Sequence, residues 1–145
     1  MEPGNNMLSP QEVAAVMIAN DGFSKLLGLE IDEVREGYCR LHYTVRTDML
    51  NGFSIIHGGA VFSASDSAFA FACNSHGRVT VALDVSITFT RAARAGEILT
   101  VEAKEVHLGY KTGVYDIRTT NEAGEVIALF KGTAYRTSKV VEKPH

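Results

Sequence analysis

Asp66 lies inside an apolar run that leaves little freedom in how this chain folds. The run reads His57-Gly58-Gly59-Ala60-Val61-Phe62-Ser63-Ala64-Ser65-Asp66-Ser67-Ala68-Phe69-Ala70-Phe71-Ala72-Cys73. Its Ala, Val and Phe residues pass round every face of a helix, the pattern of a helix wrapped by protein. Such a helix cannot rest on one side of a flat sheet and leave its back in water. A sheet must curl around it, and any face left over must meet something else. An ionised carboxylate in that setting is costly unless it has partners or a task.

The flanking sequence supplies the sheet. Ser9, Pro10 and Glu12 form a helix start with an S-x-x-E capping box, so a first helix is predicted over about 9–27, with Gly22 marking a break and Gly28 the end. Beyond Gly28 the period becomes two: a short strand at 29–34, then Cys39, Leu41, Tyr43 and Val45 alternating with polar residues. Residues 47–56 read as a loop turning at Asn51-Gly52, and the long helix runs from Gly58 to about Ser75. Four strands follow at about 79–91, 97–108, 111–121 and 125–137, with turns at Ala95-Gly96, Gly109 and residues 121–124. The tail 138–145 is polar and is expected to fray. Short turns between consecutive strands favour an antiparallel sheet, hence an α+β fold in a single domain spanning 1–145.

Composition narrows the function. A 46% hydrophobic content over 145 residues supports a real core. A net charge of -3 argues against a nucleic-acid partner. The run around Asp66 is too short and too hydroxylated to cross a membrane, and no secretory leader is read, so a cytoplasmic chain is expected. Cys39 and Cys73 both sit in apolar stretches far apart and are expected to be buried free thiols, with no metal site.

Chemistry gathers at the start of the long helix. N–H groups in a first helical turn lack intrahelical partners, and the helix end carries partial positive charge. Glycines at 58 and 59 let a carbonyl oxygen approach those donors, a setting suited to an oxyanion. Asp66, desolvated, fits a general base or nucleophile. Eight residues separate it from Gly58, about 12 Å at ~1.5 Å per residue, too far for an Asp side chain to serve its own helix start. Two copies with antiparallel helices would set each Asp66 against the partner's Gly-Gly end, so a homodimer with shared sites is expected.

The residues resemble a known family. Asn51-Gly52, His57-Gly58-Gly59, Phe62, Asp66, Ala68-Phe69-Ala70 and Ala72-Cys73-Asn74-Ser75 look like the hot-dog-fold acyl-CoA thioesterases of the PaaI type, which include the thioesterase of phenylacetate degradation. Asn20-Asp21 with Leu27-Gly28, Thr112 to Ile117 and Ala128-Leu129-Phe130 extend the likeness over nearly the whole chain beyond Ser9. The resemblance implies a curved antiparallel sheet around one central helix, in homodimers paired as dimers of dimers. It implies that Gly58 donates its N–H to the thioester carbonyl with Gly59 beside it, and that Asp66 of the neighbouring copy attacks the carbon or activates water. His57 would orient thioester or water, Asn20 would lend a polar contact, and Ser67 would hold Asp66. Coenzyme A would enter as part of the substrate, with no other cofactor, its phosphates near basic residues such as Arg91 and Lys111. The acyl group expected is aryl-acetyl or medium-chain.

Two other classes fit the residues less well. A hot-dog hydratase or dehydratase would need a His and a carboxylate at the carbon alpha to the carbonyl, and no H-F-P-G-type segment is present. A non-catalytic acyl-CoA-binding regulatory module gains nothing from a buried carboxylate near an anionic ligand.

Overall fold

Ser9 opens the first helix as its residue type requires. In a computed structural model that describes residues 7–144, its hydroxyl accepts from the Glu12 N–H, and the Glu12 carboxylate accepts from the Ser9 N–H at 3.0 Å. Helix α1 covers Pro10–Asn20 and α2 covers Gly22–Leu27, so the N-terminal segment is two helices rather than one over 9–27. The break falls at Asp21, which ends α1 and caps α2 by accepting from the Ser24 N–H. Gly28 closes α2 in the left-handed region at φ 73°.

Strands β1 (Glu30–Arg35) and β2 (Tyr38–Thr44) form a hairpin, followed by a 3-10 turn at Thr47–Met49 and the long helix α3 (Gly58–Asn74). Four strands complete the chain: β3 (Arg78–Phe89), β4 (Ile98–Leu108), β5 (Thr112–Thr120) and β6 (Val126–Val140). Residues 138–140 therefore continue β6 instead of fraying. The Val141 N–H donates to the Gly77 carbonyl at 2.8 Å, and Lys143 meets Glu12 at 3.1 Å, so cross-chain contacts hold this end of the strand.

All pairings are antiparallel, in the order β1-β2-β4-β5-β6-β3. The turn at Ala95-Gly96 does not join a hairpin: β3 pairs with β6 at the far edge, and residues 90–97 cross back to β4. A turn signal fixes where the chain bends, and the partner is chosen by which faces must be buried.

The sheet curves around α3, which packs on β2, β3, β4 and β5. Val61, Ala64, Ala68, Phe69, Phe71 and Ala72 are buried in the core. Phe69 is its centre, with ring centroids 5.6 Å from Tyr115 and 5.9 Å from Phe130. That approach needs Gly132 in β6, where an added Cβ would lie 2.7 Å from the Phe69 ring. The helix is not covered all round. Phe62, Ser63, Asp66, Ser67 and Ala70 form a half-buried strip along one side, the face the apolar pattern left without a partner.

Candidate active site

The backbone entering α3 is held by contacts from distant parts of the chain. The Ile56 N–H donates to the carbonyl of Ala93, a fully buried residue of the crossover, and the His57 N–H donates to the Met49 carbonyl, each at 2.8 Å. Leu50 bridges Ile56, and Asn51 ties the intervening loop by accepting from the Phe53 and Ile55 N–H groups. The next N–H, that of Gly58, has no acceptor among the described residues. Gly59 does not share this freedom. Its N–H donates to Nδ1 of His57 at 2.8 Å, so the imidazole caps the helix and occupies the second expected donor. Nδ1 acting as acceptor puts the proton of the neutral ring on Nε2, which gives His57 an N–H of its own to offer. The ring of Phe89, at the end of β3, lies over Gly58, where an added Cβ would be 3.1 Å from Cζ.

Asp66 is two turns further on, in the half-buried strip. Lys, Arg and His make no ion pair with it among the described residues. Burial raises its carboxyl above the ordinary value, and the negative charge of Asp21 adds to the shift. This is the electrostatic condition of a base or nucleophile, in which the proton is held less loosely than by a solvated Asp.

The remaining expected residues are placed unequally. Asn20 ends α1 just before Asp21, with its side-chain amide donating to the Val16 carbonyl at 3.2 Å. The Ser67 hydroxyl bonds that of Ser24 at 2.8 Å, so its hydrogen bond goes to α2 and not to Asp66 directly. Arg91 pairs with Glu125 at 2.8 Å, and its N–H donates to Ile127. Lys111 lies in the β4–β5 turn, where its carbonyl accepts from the Arg136 N–H. Nine residues of β6 separate those contacts, about 30 Å at ~3.3 Å per residue, so one chain does not bring Arg91 and Lys111 together. Cys39 and Cys73 are buried free thiols, with burial pushing both up to about 12.

Sequence reasoning passed over several residues at this end. A cavity of about 300 Å³ adjoins the helix start, lined by Phe23, Leu26, Leu27, Met49, Leu50 and Ala60, with His57 and Gly59 at its edge. Arg46 borders it, paired to Asp48 at 3.0 Å and donating to the Leu26 carbonyl. Asp21 carried a legible signal, since Asp is a preferred N-cap and here accepts the Ser24 N–H at the start of α2. Phe89 and Ala93 carried none, because only the crossover brings them to Gly58.

A free helix-start N–H and an unpaired, desolvated carboxylate on one central helix suit acyl chemistry at a carbonyl. Residues 53–128 match the thioesterase superfamily. The chain belongs to that superfamily. This thioesterase is 44% identical over 123 residues to the acyl-coenzyme A thioesterase PaaI of Escherichia coli, covering 85% of this chain and 88% of that protein. The solved structure of E. coli PaaI, from the phenylacetic acid degradation operon, superposes with a TM-score of 0.89 over 90% of this chain and 95% of that one. A putative esterase of Archaeoglobus fulgidus is 45% identical over 89% of this chain and 84% of its own. The Streptococcus mutans protein smu.793, solved bound to acetyl CoA, is 26% identical with a TM-score of 0.76, covering 78% and 91% of the two chains. The fold is thus the hot-dog fold of thioesterases, and the chain is a thioester hydrolase of the PaaI type.

Proposed function

We propose that this thioesterase hydrolyses acyl-CoA to free acid and coenzyme A, with an aryl-acetyl or medium-chain acyl group, in cytoplasmic homodimers whose sites are shared. The observation that carries the reading is Asp66, a half-buried carboxylate that has no counter-cation among the described residues, on the helix whose Gly58 N–H finds no acceptor among them. The Gly58 N–H would receive the thioester oxygen as it becomes an oxyanion. The Asp66 carboxylate would attack the carbonyl carbon or take a proton from the attacking water. The C–S bond then breaks with the thiolate leaving, and water supplies the hydroxyl of the acid and the proton of the thiol. His57, with its Nε2 proton, and Asn20 would orient the reacting groups.

Sharing follows from the same reach argument as before, about 12 Å between Gly58 and Asp66 at ~1.5 Å per residue. The β3 edge supports it. This strand is twelve residues long, unpaired on its outer side among the described residues, and exposes Val81 (52%), Leu83 (61%) and Phe89 (53%), interrupted by the exposed Asp84 and a register shift between Ala82 and Asp84. An edge so long and exposed invites another strand, and a second copy is the nearest source. Pairing there would bring the half-buried strips of the two α3 helices toward one another, and dimers of dimers would follow as in the resemblance. Arg91 and Lys111, far apart in one chain, are assigned to coenzyme A phosphates from different copies. The cavity beside the helix start suits a ring or a short chain, in keeping with the operon of the E. coli relative.

The test is a panel of acyl-CoAs read with a thiol reagent. Turnover of aryl-acetyl or medium-chain thioesters is expected, and no cleavage of any thioester overturns the reading. Mixing Asp66→Ala with a Gly58 variant is expected to restore activity through hybrid dimers. Proven subunit exchange without recovery would dismiss the shared site.

A further inference from the structure

The break between α1 and α2 links a second carboxylate, through two hydroxyls, to the residue after Asp66. Asp21 accepts the Ser24 N–H on Oδ1 at 2.9 Å and the Ser24 hydroxyl on Oδ2 at 2.5 Å. A carboxylate only accepts, so the Ser24 proton is committed to it. The 2.8 Å contact between the Ser24 and Ser67 hydroxyls therefore has Ser67 as donor. The result is a directed relay, Ser67 to Ser24 to Asp21, that runs from the residue after Asp66 to the helix junction. Ser24 is fully buried, so water does not compete at its middle link.

We infer that Asp21 is a positioning residue for Asp66, fixing α2 on α3 through Ser24 and Ser67 and setting a second anion against the reacting carboxylate. The inference rests on the role given to Asp66 above. Two effects follow from one side chain. The relay fixes the rotation of α3 at Ser67, and with it the direction in which Asp66 leaves the helix. The charge of Asp21 opposes ionisation of Asp66, in the same direction as burial, and so makes it a stronger base. Among the described residues the strands packed on α3 contribute no charge to Asp66, and on its own helix the titratable group coupled to it is the buried Cys73 thiol.

Asp21→Asn keeps an acceptor for the Ser24 N–H and removes the charge. The acid limb of kcat/KM against pH is expected to move to lower pH, with plateau kcat falling several-fold and KM unchanged. Ser24→Ala keeps the charge and cuts the relay, so kcat should fall with the limb in place, a split that a merely structural role would not produce. A carbon-13 titration of the Asp66 carboxyl, assigned by its loss in Asp66→Asn, reports the same shift without relying on turnover. Should Asp21→Asn fail to fold, Asp21→Ser retains a capping oxygen and carries the same expectation. An unmoved limb and an unmoved titration in the uncharged variant overturn the inference. If Asp66→Asn keeps full hydrolysis, the role of Asp66 itself falls, and the positioning role falls with it. If Asp66→Asn is inactive while the uncharged Asp21 variant behaves as wild type, only the positioning role is lost.

Discussion

At its C-terminal end α3 is tied to the sheet, whereas at its N-terminal end it is left open. Asn74 donates to the Thr80 carbonyl at 3.0 Å and accepts the Thr80 N–H at 2.8 Å. The Ser75 hydroxyl accepts from the Gly37 N–H at 2.8 Å and donates to Ala72. Glu105 receives both His76 and the Tyr115 hydroxyl on one oxygen, each at 2.7 Å. Those groups find their partners inside one chain, so this end stabilises the fold and offers little to a ligand. At the other end the Gly58 N–H, and midway along the helix the Asp66 carboxylate, find no such partners among the described residues. Unmet polar groups at a half-covered surface cost free energy until a ligand or a second copy meets them, which is why the proposed site includes them.

Substitutions at the two ends should therefore separate activity from stability. Asp66→Ala should lower kcat by about 10²–10⁴-fold with thermal unfolding close to wild type, measured by acyl-CoA turnover and a melting curve. Near-normal turnover would erase the contrast between the ends. Glu105→Ala should do the reverse. It strands His76 and the buried Tyr115 hydroxyl, costing about 1–3 kcal/mol in denaturant unfolding, with kcat per folded molecule preserved.

Ser9→Ala removes the α1 cap, a local change that leaves the side-chain contacts of α3 in place. A loss of about 1 kcal/mol is expected, smaller than at Glu105, and a larger loss would mean that α1 supports the sheet more than its capping suggests. The smallest effect belongs to His42 on the β1–β2 hairpin. Its hydrogen bond to Asp32 chiefly raises its pKa above the ordinary 6.5, with the nearby Glu30 adding to the shift. A raised histidine stabilises the fold below its unfolded pKa, and that contribution fades as pH rises through the folded value. His42→Gln should flatten the stability profile just above pH 6.5, read from unfolding midpoints across that window, and should leave turnover unaltered.

Much of the fold was legible because it is written in local chemistry. The Ser9–Glu12 box, the period of two around Leu41 and Tyr43, and the glycine start of α3 each act over a few residues, and each appears where the sequence put it. Gly58 and Asp66 were legible as candidates for a related reason: a glycine pair at a helix start and a carboxylate in an apolar run conflict with simple packing. The readings that changed depend on residues far apart in the chain. Gly59 looked like a second open donor, but the rotamer of His57 uses it. The partner of Ser67 was not legible either: its hydroxyl meets Ser24, forty-three residues earlier.

By itself, then, the sequence determined an α+β chain with one enclosed helix, a helix start fit for an oxyanion, and a carboxylate needing a reason to be there. Backbone propensity, capping and burial act within a turn or a strand, so they can be read along the chain. Only the tertiary structure decided that β3 pairs with β6 and leaves an exposed edge, that the crossover carries Ala93 to the backbone before Gly58, and that Asp21 is tied through Ser24 to Ser67. Those outcomes depend on which distant surfaces must be buried together, and no local pattern encodes that choice.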